Sequence, residues 1–208
     1  MNKNLLIAVI VLSFILVGLG LFYLYSSKPR QFSKCSVTGQ LSRYGKGEII
    51  TSNPFFATDD FSNFGDNGAA YNLNKNFRGR TGVVAVHPQL DKTKTFITQR
   101  VYLEPGYKYA LKVAVADIAG WIPETDGICE CMDGILKIKV LDSSTGQEEM
   151  LLDCVLDSRD DWQDFSFDIS KYAGKTINIT AEGHVGGPCG DWCGEWVALD
   201  YFYVEKIK

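Results

Sequence analysis

Alternation of apolar and polar residues in short stretches is the feature that most restricts how this chain folds. It recurs in YKYALKVAV (107–115), ILKIKV (135–140), DFSFDI (164–169) and TINIT (176–180). A period of two residues places apolar side chains on one face of a strand and polar side chains on the other. The stretch WVALDYFYV (196–204) is apolar on both faces, which predicts a central strand. Turn-forming sequences such as Pro105-Gly106 separate the stretches, so the pattern predicts an all-β, antiparallel β-sandwich.

The same alternation predicts which side chains face the interior of the sandwich. In each stretch the apolar residues share one face, while lysine, aspartate, serine or asparagine occupies the other. The predicted inward-facing residues are Tyr107, Tyr109, Leu111, Val113, Val115, Leu136, Ile138, Val140, Phe165, Phe167, Ile169, Ile177 and Ile179. Asn178 is predicted to face outward, which leaves the glycosylation sequon Asn178-Ile179-Thr180 accessible.

Residues 5–25, LLIAVIVLSFILVGLGLFYLY, form a run of 21 residues without a charged side chain. As a helix this run is ~31 Å long, which matches the hydrocarbon core of a bilayer. The following sequence, YSSKPRQF, has no small-residue cleavage pattern, which argues against a cleaved signal peptide. The sequence therefore predicts a transmembrane signal anchor in residues 1–27, a linker in residues 28–47 and a β-sandwich ectodomain in residues 48–208.

Charge and cysteine content give opposite indications of the side of the membrane on which the domain lies. Lys28, Arg30 and Lys34 follow the apolar run, and the positive-inside rule would place them in the cytoplasm. Six cysteines favour an oxidising compartment, however, and long domains translocate largely regardless of flanking charge. We therefore expect a single-pass protein of the cell membrane whose domain is extracytoplasmic.

The distribution of charge excludes one class of partner. From Glu48 onward the chain has 15 Lys and Arg against 25 Asp and Glu, a net charge of −10. A domain this acidic repels the phosphate backbone, so we expect no nucleic-acid partner. The membrane, bound through the N-terminal helix, is the first partner that the sequence predicts.

Three stretches of the chain resemble a known family. TFITQRVYLEPGYKYALKVAVADIAG (95–120), DWQDFSFDISKYAGKTINITAEG (161–183) and the closing stretch WVALDYFYV are similar to jelly-roll carbohydrate-binding modules, the galactose-binding-like sandwiches. The resemblance covers residues 80–206. It implies a jelly-roll arrangement of the sandwich and a non-catalytic, surface-bound module that binds a glycan or a protein.

The cysteines allow two interpretations, disulfides or a metal site. They lie at Cys35, Cys129, Cys131, Cys154, Cys189 and Cys193, and four of them form CEC and CGDWC in Gly-rich acidic loops. In a jelly roll these loops would meet at one end, where disulfides would join them and leave Cys35 with Cys154 as the remaining pair. A Cys₄ metal site, with His184 as a further ligand, is the alternative, but the spacings differ from the usual C-x₂-C of structural zinc.

Asp200 is the only charged residue in the predicted central strand, and a buried carboxylate must be paired or coordinated. An ion pair or a hydrogen bond to a turn would satisfy it. The resemblance implies a structural Ca²⁺ instead, held by the closing-strand aspartate, an earlier carboxylate and backbone oxygens. This metal site is predicted at Asp200 and Asp60, with Asp59 and Asp66 as alternatives to Asp60.

Three tryptophans flank the cysteine loops, and they have two interpretations. In the first interpretation they fill the rim of the core, as tryptophans beside disulfides often do. The resemblance implies that they stack on sugar rings instead, with nearby carboxylates as hydrogen-bond acceptors. The predicted ligand-binding residues are Trp121, Trp192, Trp196, Asp191 and Glu195. The sequence has no Ser-His-Asp, Cys-His or phosphate-loop pattern, so we predict no catalytic residues.

An apolar N-terminal helix before a β-sandwich is also the plan of pilin-like surface filaments. Self-assembly as a filament subunit is therefore an alternative function, although only MNKN precedes the apolar run and no early Glu is present. An accessory subunit of a membrane complex is a further alternative. The N-terminal residue of the native protein would separate these functions, because filament subunits are trimmed at the apolar run.

We expect the cysteines to be oxidised in the native protein, because extracytoplasmic compartments maintain disulfides. Mass spectrometry of protein that is alkylated without reduction should show at most a trace of free thiol. Protein that is reduced before alkylation is the control and should carry six labels. Six labels without reduction would contradict the predicted compartment and would leave the cysteines available to a metal.

Overall fold

The computed structural model describes residues 33, 35, 47–56, 65–66, 70–73, 77–86, 94–117, 134–156, 161–184 and 197–207. All of them belong to one compact unit, Phe32–Lys208. The predicted anchor in residues 1–27 lies outside this set. Among the described residues, no helix is long and apolar enough to cross a membrane.

Strands dominate the described part of the chain. They are β1 (Glu48–Ile49), β2 (Gly65–Asp66), β3 (Ala70–Leu73), β4 (Val83–Val86), β5 (Lys94–Tyr102), β6 (Lys108–Asp117), β7 (Ile135–Asp142), β8 (Glu148–Val155), β9 (Gln163–Asp168), β10 (Thr176–His184) and β11 (Val197–Ile207). A short 3-10 helix, Ser170–Tyr172, connects β9 to β10.

The strands form two antiparallel sheets. The six-stranded sheet has the order β3-β4-β11-β6-β9, and β1 pairs with the far end of β11. The five-stranded sheet has the order β2-β5-β10-β7-β8. From β4 onward the chain changes sheet at every connection except the hairpin between β7 and β8. The prediction of an all-β chain with antiparallel sheets is therefore confirmed for the described residues.

A main core fills the space between the two sheets. Most of the predicted inward-facing residues lie in it: Tyr109, Leu111, Val113, Val115, Leu136, Ile138, Val140, Phe165, Ile169, Ile177 and Ile179, with Phe167 partly buried at its margin. Full burial of one aliphatic or aromatic side chain contributes about 1.5–3 kcal/mol, so this core is the main source of stability. Asn178 faces away from the core and is partly exposed, as predicted.

The prediction for Tyr107 is wrong. β6 begins at Lys108, and Tyr107 lies between this strand and the Pro105-Gly106 turn, in which Gly106 has a φ of 85°. The ring is 43% exposed, and Lys206 Nζ lies 3.8 Å from its centroid. The direction of this side chain is set by the turn rather than by the pleat of the strand, so the alternation does not extend to it.

β11 is a central strand, as its apolar sequence predicts. β6 pairs along one side of it, and β4 and β1 pair along the other. The pairing with β6 shifts by one residue, because Leu199 is opposite Val115 while Tyr201 is opposite Ala114. Asp200 is therefore an extra residue in β11, and it forms a β-bulge.

The bulge changes which residues of β11 reach the main core. Four residues of β11 lie in the main core: Val197, Leu199, Phe202 and Val204. The two before the bulge have odd numbers and the two after it have even numbers. In a regular strand Phe202 would point to the opposite face from Leu199. The extra residue thus keeps both halves of β11 packed on the main core.

The opposite face of the six-stranded sheet carries a smaller apolar layer, which we call the outer layer. Its floor consists of Val83, Ala85, Ala114, Ala116, Ala198, Tyr201 and Tyr203. Phe55 and Phe77, from the segments before β2 and β4, pack onto this floor. Ile50 N donates a hydrogen bond to Val204 O at 3.0 Å, so the first of these segments follows β11. The outer layer explains why β11 is apolar on both faces.

A disulfide joins Cys35 to Cys154 near the end of β8, which confirms the predicted pair. Cys35 N donates to Val155 O at 2.8 Å, and Val155 N donates to Ser33 O at 3.0 Å. Part of the predicted linker, residues 28–47, therefore packs against the sandwich. It covers one end of β8, an edge strand whose backbone groups would otherwise face solvent.

Removal of this disulfide should destabilise the domain, because the two cysteines are 119 residues apart and the bridge restricts the unfolded chain. A bridge closing a loop of this size contributes roughly 3–5 kcal/mol. We expect the double variant Cys35→Ser/Cys154→Ser to lower Tm by on the order of 10 °C in a thermal melt. Ser33→Ala is the matched control, because it keeps the backbone bond to Val155 and removes only a long, exposed hydrogen bond from Ser33 Oγ to Asp153 O at 3.5 Å. A double variant that melts with the parent would contradict the role given to the bridge.

Candidate functional site

Both cysteine loops leave the sandwich at the same end. Val197 pairs with Asp117, so residues 185–196 end beside the point at which residues 118–133 begin. His184 pairs with Ile135, so the other two ends of these segments also lie side by side. The sheets are linked here, because the backbone N–H of Gly134 donates to Asp117 Oδ2 at 2.6 Å. The topology therefore places the roots of the two loops together, as the sequence predicted.

The predicted binding residues lie in these loops and outside the described residues: Trp121, Trp192, Trp196, Asp191, Glu195, Cys129, Cys131, Cys189 and Cys193. Their prediction as a ligand platform with disulfides stays a prediction. His184 is described, and its Nε2 lies 2.7 Å from Glu182 Oε2. Within the described ranges, no group of three or more His, Cys, Asp or Glu residues is placed to hold a metal ion.

A second candidate site lies on the outer layer, beside the tight turn Phe77-Arg78-Gly79-Arg80. Phe77 N donates to Arg80 O at 2.9 Å, and Arg80 N donates to Phe77 O at 3.0 Å. Arg78 and Gly79 have φ values of 47° and 79°, the left-handed pair that a two-residue hairpin turn of type I′ requires. Glycine adopts this conformation readily, whereas a residue with a Cβ rarely does. The turn projects Arg80 toward β11 and β9.

Arg80 is the centre of a group of five residues that we call the arginine cluster: Arg80, Trp162, Asp164, Asp200 and Tyr201. Its Nη1 lies 2.9 Å from Asp200 Oδ2 and 3.6 Å from Asp164 Oδ1. The guanidinium carbon lies 4.5 Å from the centroid of the Trp162 ring, which is cation–π geometry. One side chain thus contacts two carboxylates and an indole ring.

Trp162 is held by the turn on two sides. Its Nε1 donates to Arg78 O at 3.3 Å. The Phe77 ring meets it edge to face, with the two centroids 5.7 Å apart. Trp162 remains partly exposed. The indole ring is therefore fixed in orientation while part of its surface faces solvent.

Tyr201 connects the cluster to the outer layer. Its hydroxyl donates to Asp164 Oδ1 at 2.6 Å, and its side chain is fully buried. Burial raises the pKa of the Tyr201 hydroxyl far above its usual range, and the hydrogen bond to Asp164 raises this pKa further. The hydroxyl therefore stays protonated in any physiological environment and keeps donating to Asp164.

Asp200 is completely buried, and the structure contains an ion pair between it and Arg80. This agrees with the interpretation that a buried carboxylate in the central strand is paired. The calcium interpretation requires an earlier carboxylate from Asp59, Asp60 or Asp66. Asp59 and Asp60 lie outside the described residues, Asp66 lies in β2 of the other sheet, and the interpretation stays a prediction. The bulge is the local cause of the pairing, because it makes Asp200 an extra residue of β11 beside the turn that carries Arg80.

Four members of the arginine cluster were not predicted as site residues: Arg80, Trp162, Asp164 and Tyr201. FRGR is a recognisable turn sequence with glycine at the position that needs it, and that signal could have located the turn. Nothing in the sequence indicated that this turn lies over β11. Arg80 and Asp200 are 120 residues apart in the chain, so only the folded structure brings them together.

No protein-family model matches this sequence, and no curated protein matches it. Solved structures do. The carbohydrate-binding module TmCBM61, in complex with β-1,4-galactotriose, is 17% identical with a TM-score of 0.56, over 77% of this chain and 99% of the module. A cyclase from Fischerella sp. TAU is 15% identical with a TM-score of 0.52, over 76% of this chain and 96% of the cyclase. At these identities the likeness shows the fold alone, and it confirms the predicted resemblance at that level.

Asp200→Ala should destabilise the domain by about 2–4 kcal/mol, because it leaves Arg80 without its buried partner. For a domain of this size the change corresponds to a fall in Tm on the order of 5–10 °C in a thermal melt. Arg80→Ala should also be destabilising, and the double variant should cost less than the sum of the single ones because the two residues are in contact. Asp168→Asn, at an exposed position of β9, is the control and should melt with the parent.

A chelator distinguishes the ion pair from the calcium interpretation. If the ion pair alone satisfies Asp200, chelation should leave the Tm of the parent unchanged while Asp200→Ala still lowers it. A fall in Tm that occurs on chelation in the parent but not in Asp200→Ala would show that Asp200 holds a cation. An unchanged Tm for Asp200→Ala would contradict both interpretations.

Proposed function

We propose that this chain is a non-catalytic glycan-binding module and that the arginine cluster is its binding site. One observation carries the proposal: an indole ring, a guanidinium group and a carboxylate lie side by side on one face of a sheet. Arg80 and Asp164 are 18% and 20% exposed, and Trp162 is partly exposed as well. The cluster is therefore ordered by the protein and still reaches solvent.

Each of the three groups supplies a contact that suits a sugar. A sugar ring has apolar C–H faces, which pack on an aromatic surface, and hydroxyl groups, which donate and accept hydrogen bonds. Arg80 supplies N–H donors, and Asp164 supplies acceptor oxygens. Hydrogen bonds to charged groups are roughly twice as strong as those between neutral groups, so this pair favours recognition of hydroxyls.

The cluster is also preorganised for binding. The turn fixes the position of Arg80, the ion pair with Asp200 restricts its guanidinium group, and the hydrogen bond from Tyr201 restricts Asp164. An unrestrained long side chain loses about 0.5–1.5 kcal/mol of rotamer entropy when a ligand immobilises it. The contacts within the protein have already removed much of this cost for Arg80 and Asp164.

The fold supports the same function without locating the site. The similarity to TmCBM61, whose structure contains β-1,4-galactotriose, makes a neutral glycan a reasonable first probe. The loop end with Trp121, Trp192 and Trp196 is the alternative location for the binding face. The cyclases of similar fold show that a sandwich of this kind also occurs in enzymes. The absence of catalysis is part of the proposal.

We further propose that the module is displayed outside the cytoplasm, anchored in the membrane by residues 5–25. The Cys35–Cys154 disulfide supports an oxidising compartment. A structural Ca²⁺ at Asp200 and Asp60 belongs to the same proposal. A filament subunit that self-assembles, or an accessory subunit of a membrane complex, remains the alternative function, and the native N-terminal residue separates these cases.

Trp162→Ala should weaken glycan binding by about 30-fold or more, which corresponds to ~2 kcal/mol for the loss of a stacked aromatic residue. A glycan array with the full chain would identify the bound sugars, and calorimetry would measure the affinity of parent and variant. Tyr102→Ala is the matched control. It removes an aromatic ring that is 57% exposed on the five-stranded sheet, and it should bind as the parent does.

A thermal melt must accompany the measurement, because Trp162 also packs on Phe77. The double variant Trp192→Ala/Trp196→Ala tests the other location. If this variant loses binding while Trp162→Ala retains it, the proposed location of the site in the arginine cluster is wrong, the site lies at the loop end, and glycan binding by the module stands. If the parent binds no glycan on the array, the proposed function is wrong.

A further inference from the structure

We propose that Asp164 sets the charge selectivity of the arginine cluster, so that the site accepts neutral glycans and rejects those that carry carboxylate or sulfate groups. This inference rests on the proposed function, because it concerns the ligand class of the same site. The inference is drawn from the pairing of Arg80 with two carboxylates, Asp164 and Asp200, and from the exposure of Asp164 to solvent.

An arginine in a binding site normally attracts anions, but the charge of Arg80 is already balanced. Its Nη1 lies 2.9 Å from Oδ2 of Asp200, whose side chain is completely buried. A charge pair at this distance is close to neutral when seen from outside. The second carboxylate, Asp164, lies 3.6 Å from the same nitrogen. The five residues of the cluster therefore carry two negative charges and one positive charge, and Asp164 is the more distant of the two carboxylates from Arg80.

Of the two carboxylates in the cluster, only Asp164 reaches solvent, where it lies beside the partly exposed guanidinium group of Arg80. The Asp164 side chain is 20% exposed, whereas the Asp200 side chain is fully buried. Trp162 and Asp164 are two residues apart in an extended segment, so their side chains point to the same side of the sheet. A sugar that stacks on the indole ring would consequently meet the carboxylate of Asp164 before it meets Asp200.

Tyr201 holds Asp164 in this role. Its hydroxyl donates to Oδ1 at 2.6 Å, and this short hydrogen bond fixes the orientation of the Asp164 carboxylate. A carboxylate has about four acceptor positions, so the contacts with Tyr201 and Arg80 leave acceptor capacity for sugar hydroxyls. The same oxygens would face the carboxylate of a uronic acid as a like charge.

The net charge of the whole domain also disfavours anionic ligands. From Glu48 onward it carries a net charge of −10, so its field repels anionic ligands at long range, while Asp164 repels them at contact. A like-charge contact at a partly exposed site is expected to weaken binding about tenfold, or ~1.4 kcal/mol. Contact repulsion and long-range repulsion can be separated, because only the first depends on one residue.

Asp164→Asn tests the proposal, because asparagine keeps an oxygen for the Tyr201 hydroxyl and removes the charge. The probes are matched neutral and anionic oligosaccharides, such as β-1,4-galactotriose and the same trisaccharide oxidised to carboxylates at C6, together with the corresponding pairs on a glycan array. The full-length parent should prefer the neutral member of each pair. In Asp164→Asn the ratio of neutral to anionic affinity should fall about tenfold.

Asp168→Asn is the control for a general loss of negative charge. Asp168 is exposed on the same strand and lies about 13 Å from position 164 along β9, beyond the Debye length of ~8 Å at physiological salt. Asparagine can still accept the hydrogen bond from Ser170 N that Asp168 Oδ1 accepts at 2.9 Å. This variant should keep the selectivity of the parent.

The possible outcomes distinguish the charge selectivity of the site from its ability to bind glycans at all. A parent that binds the anionic member of a pair as well as the neutral one overturns the selectivity proposal and leaves glycan binding intact. An unchanged ratio in Asp164→Asn does the same. A parent that binds no glycan overturns both.

Salt provides a second measurement that does not depend on the variant folding. At 1 M salt the Debye length is ~3 Å, so the long-range part of the preference should be lost, while most of the contact part should remain because Asp164 is largely buried. A preference that is lost completely at 1 M salt would mean that the net charge of the domain selects the ligand, and the proposal for Asp164 would fail.

Discussion

The ion pair between Arg80 and Asp200 is the contact on which the outer face of the six-stranded sheet depends. A β-bulge inserts Asp200 into the central strand β11, and this carboxylate is completely buried. A buried carboxylate is costly unless a cation reaches it, and the cation comes from a tight turn 120 residues earlier in the chain. Because Arg80 is fixed there, the turn lies over the sheet, and the Trp162 ring packs against the turn.

The same bulge links stability to the candidate site. It keeps Leu199 and Phe202 both in the main core. It also disrupts the register with β6 at the point where Tyr201 approaches Asp164. β-bulges often occur where a strand must redirect a side chain toward a site. In this domain one irregularity of the backbone therefore serves the packing of one face of β11 and the polar chemistry of the other.

Two surfaces compete for the role of binding face, and they differ in how they are built. The arginine cluster lies on a rigid sheet, and buried contacts restrict its side chains, which favours a defined orientation of a ligand. The loop end gathers the roots of two cysteine-rich segments, as the topology of β6, β7, β10 and β11 shows. Loops on a rigid scaffold commonly carry binding residues. Both surfaces belong to one domain, so binding at either of them is compatible with a glycan-binding module.

The all-β class, the inward faces of β6, β7, β9 and β10 and the central position of β11 could be predicted from the sequence, because alternation along a strand is a local property. The Cys35–Cys154 pair could be predicted only as the pair that remains if the four loop cysteines form disulfides. The sequence also indicated that Asp200 must have a partner, but not which one. The folded structure was needed to identify Arg80 as this partner, to show that Tyr107 precedes β6, and to bring Trp162 and Asp164 into the cluster. A bulge of one residue reverses the direction of every side chain that follows it in the strand, and the pattern of apolar residues does not reveal it. Contacts between residues that are 120 positions apart depend on how the strands pair rather than on any local sequence.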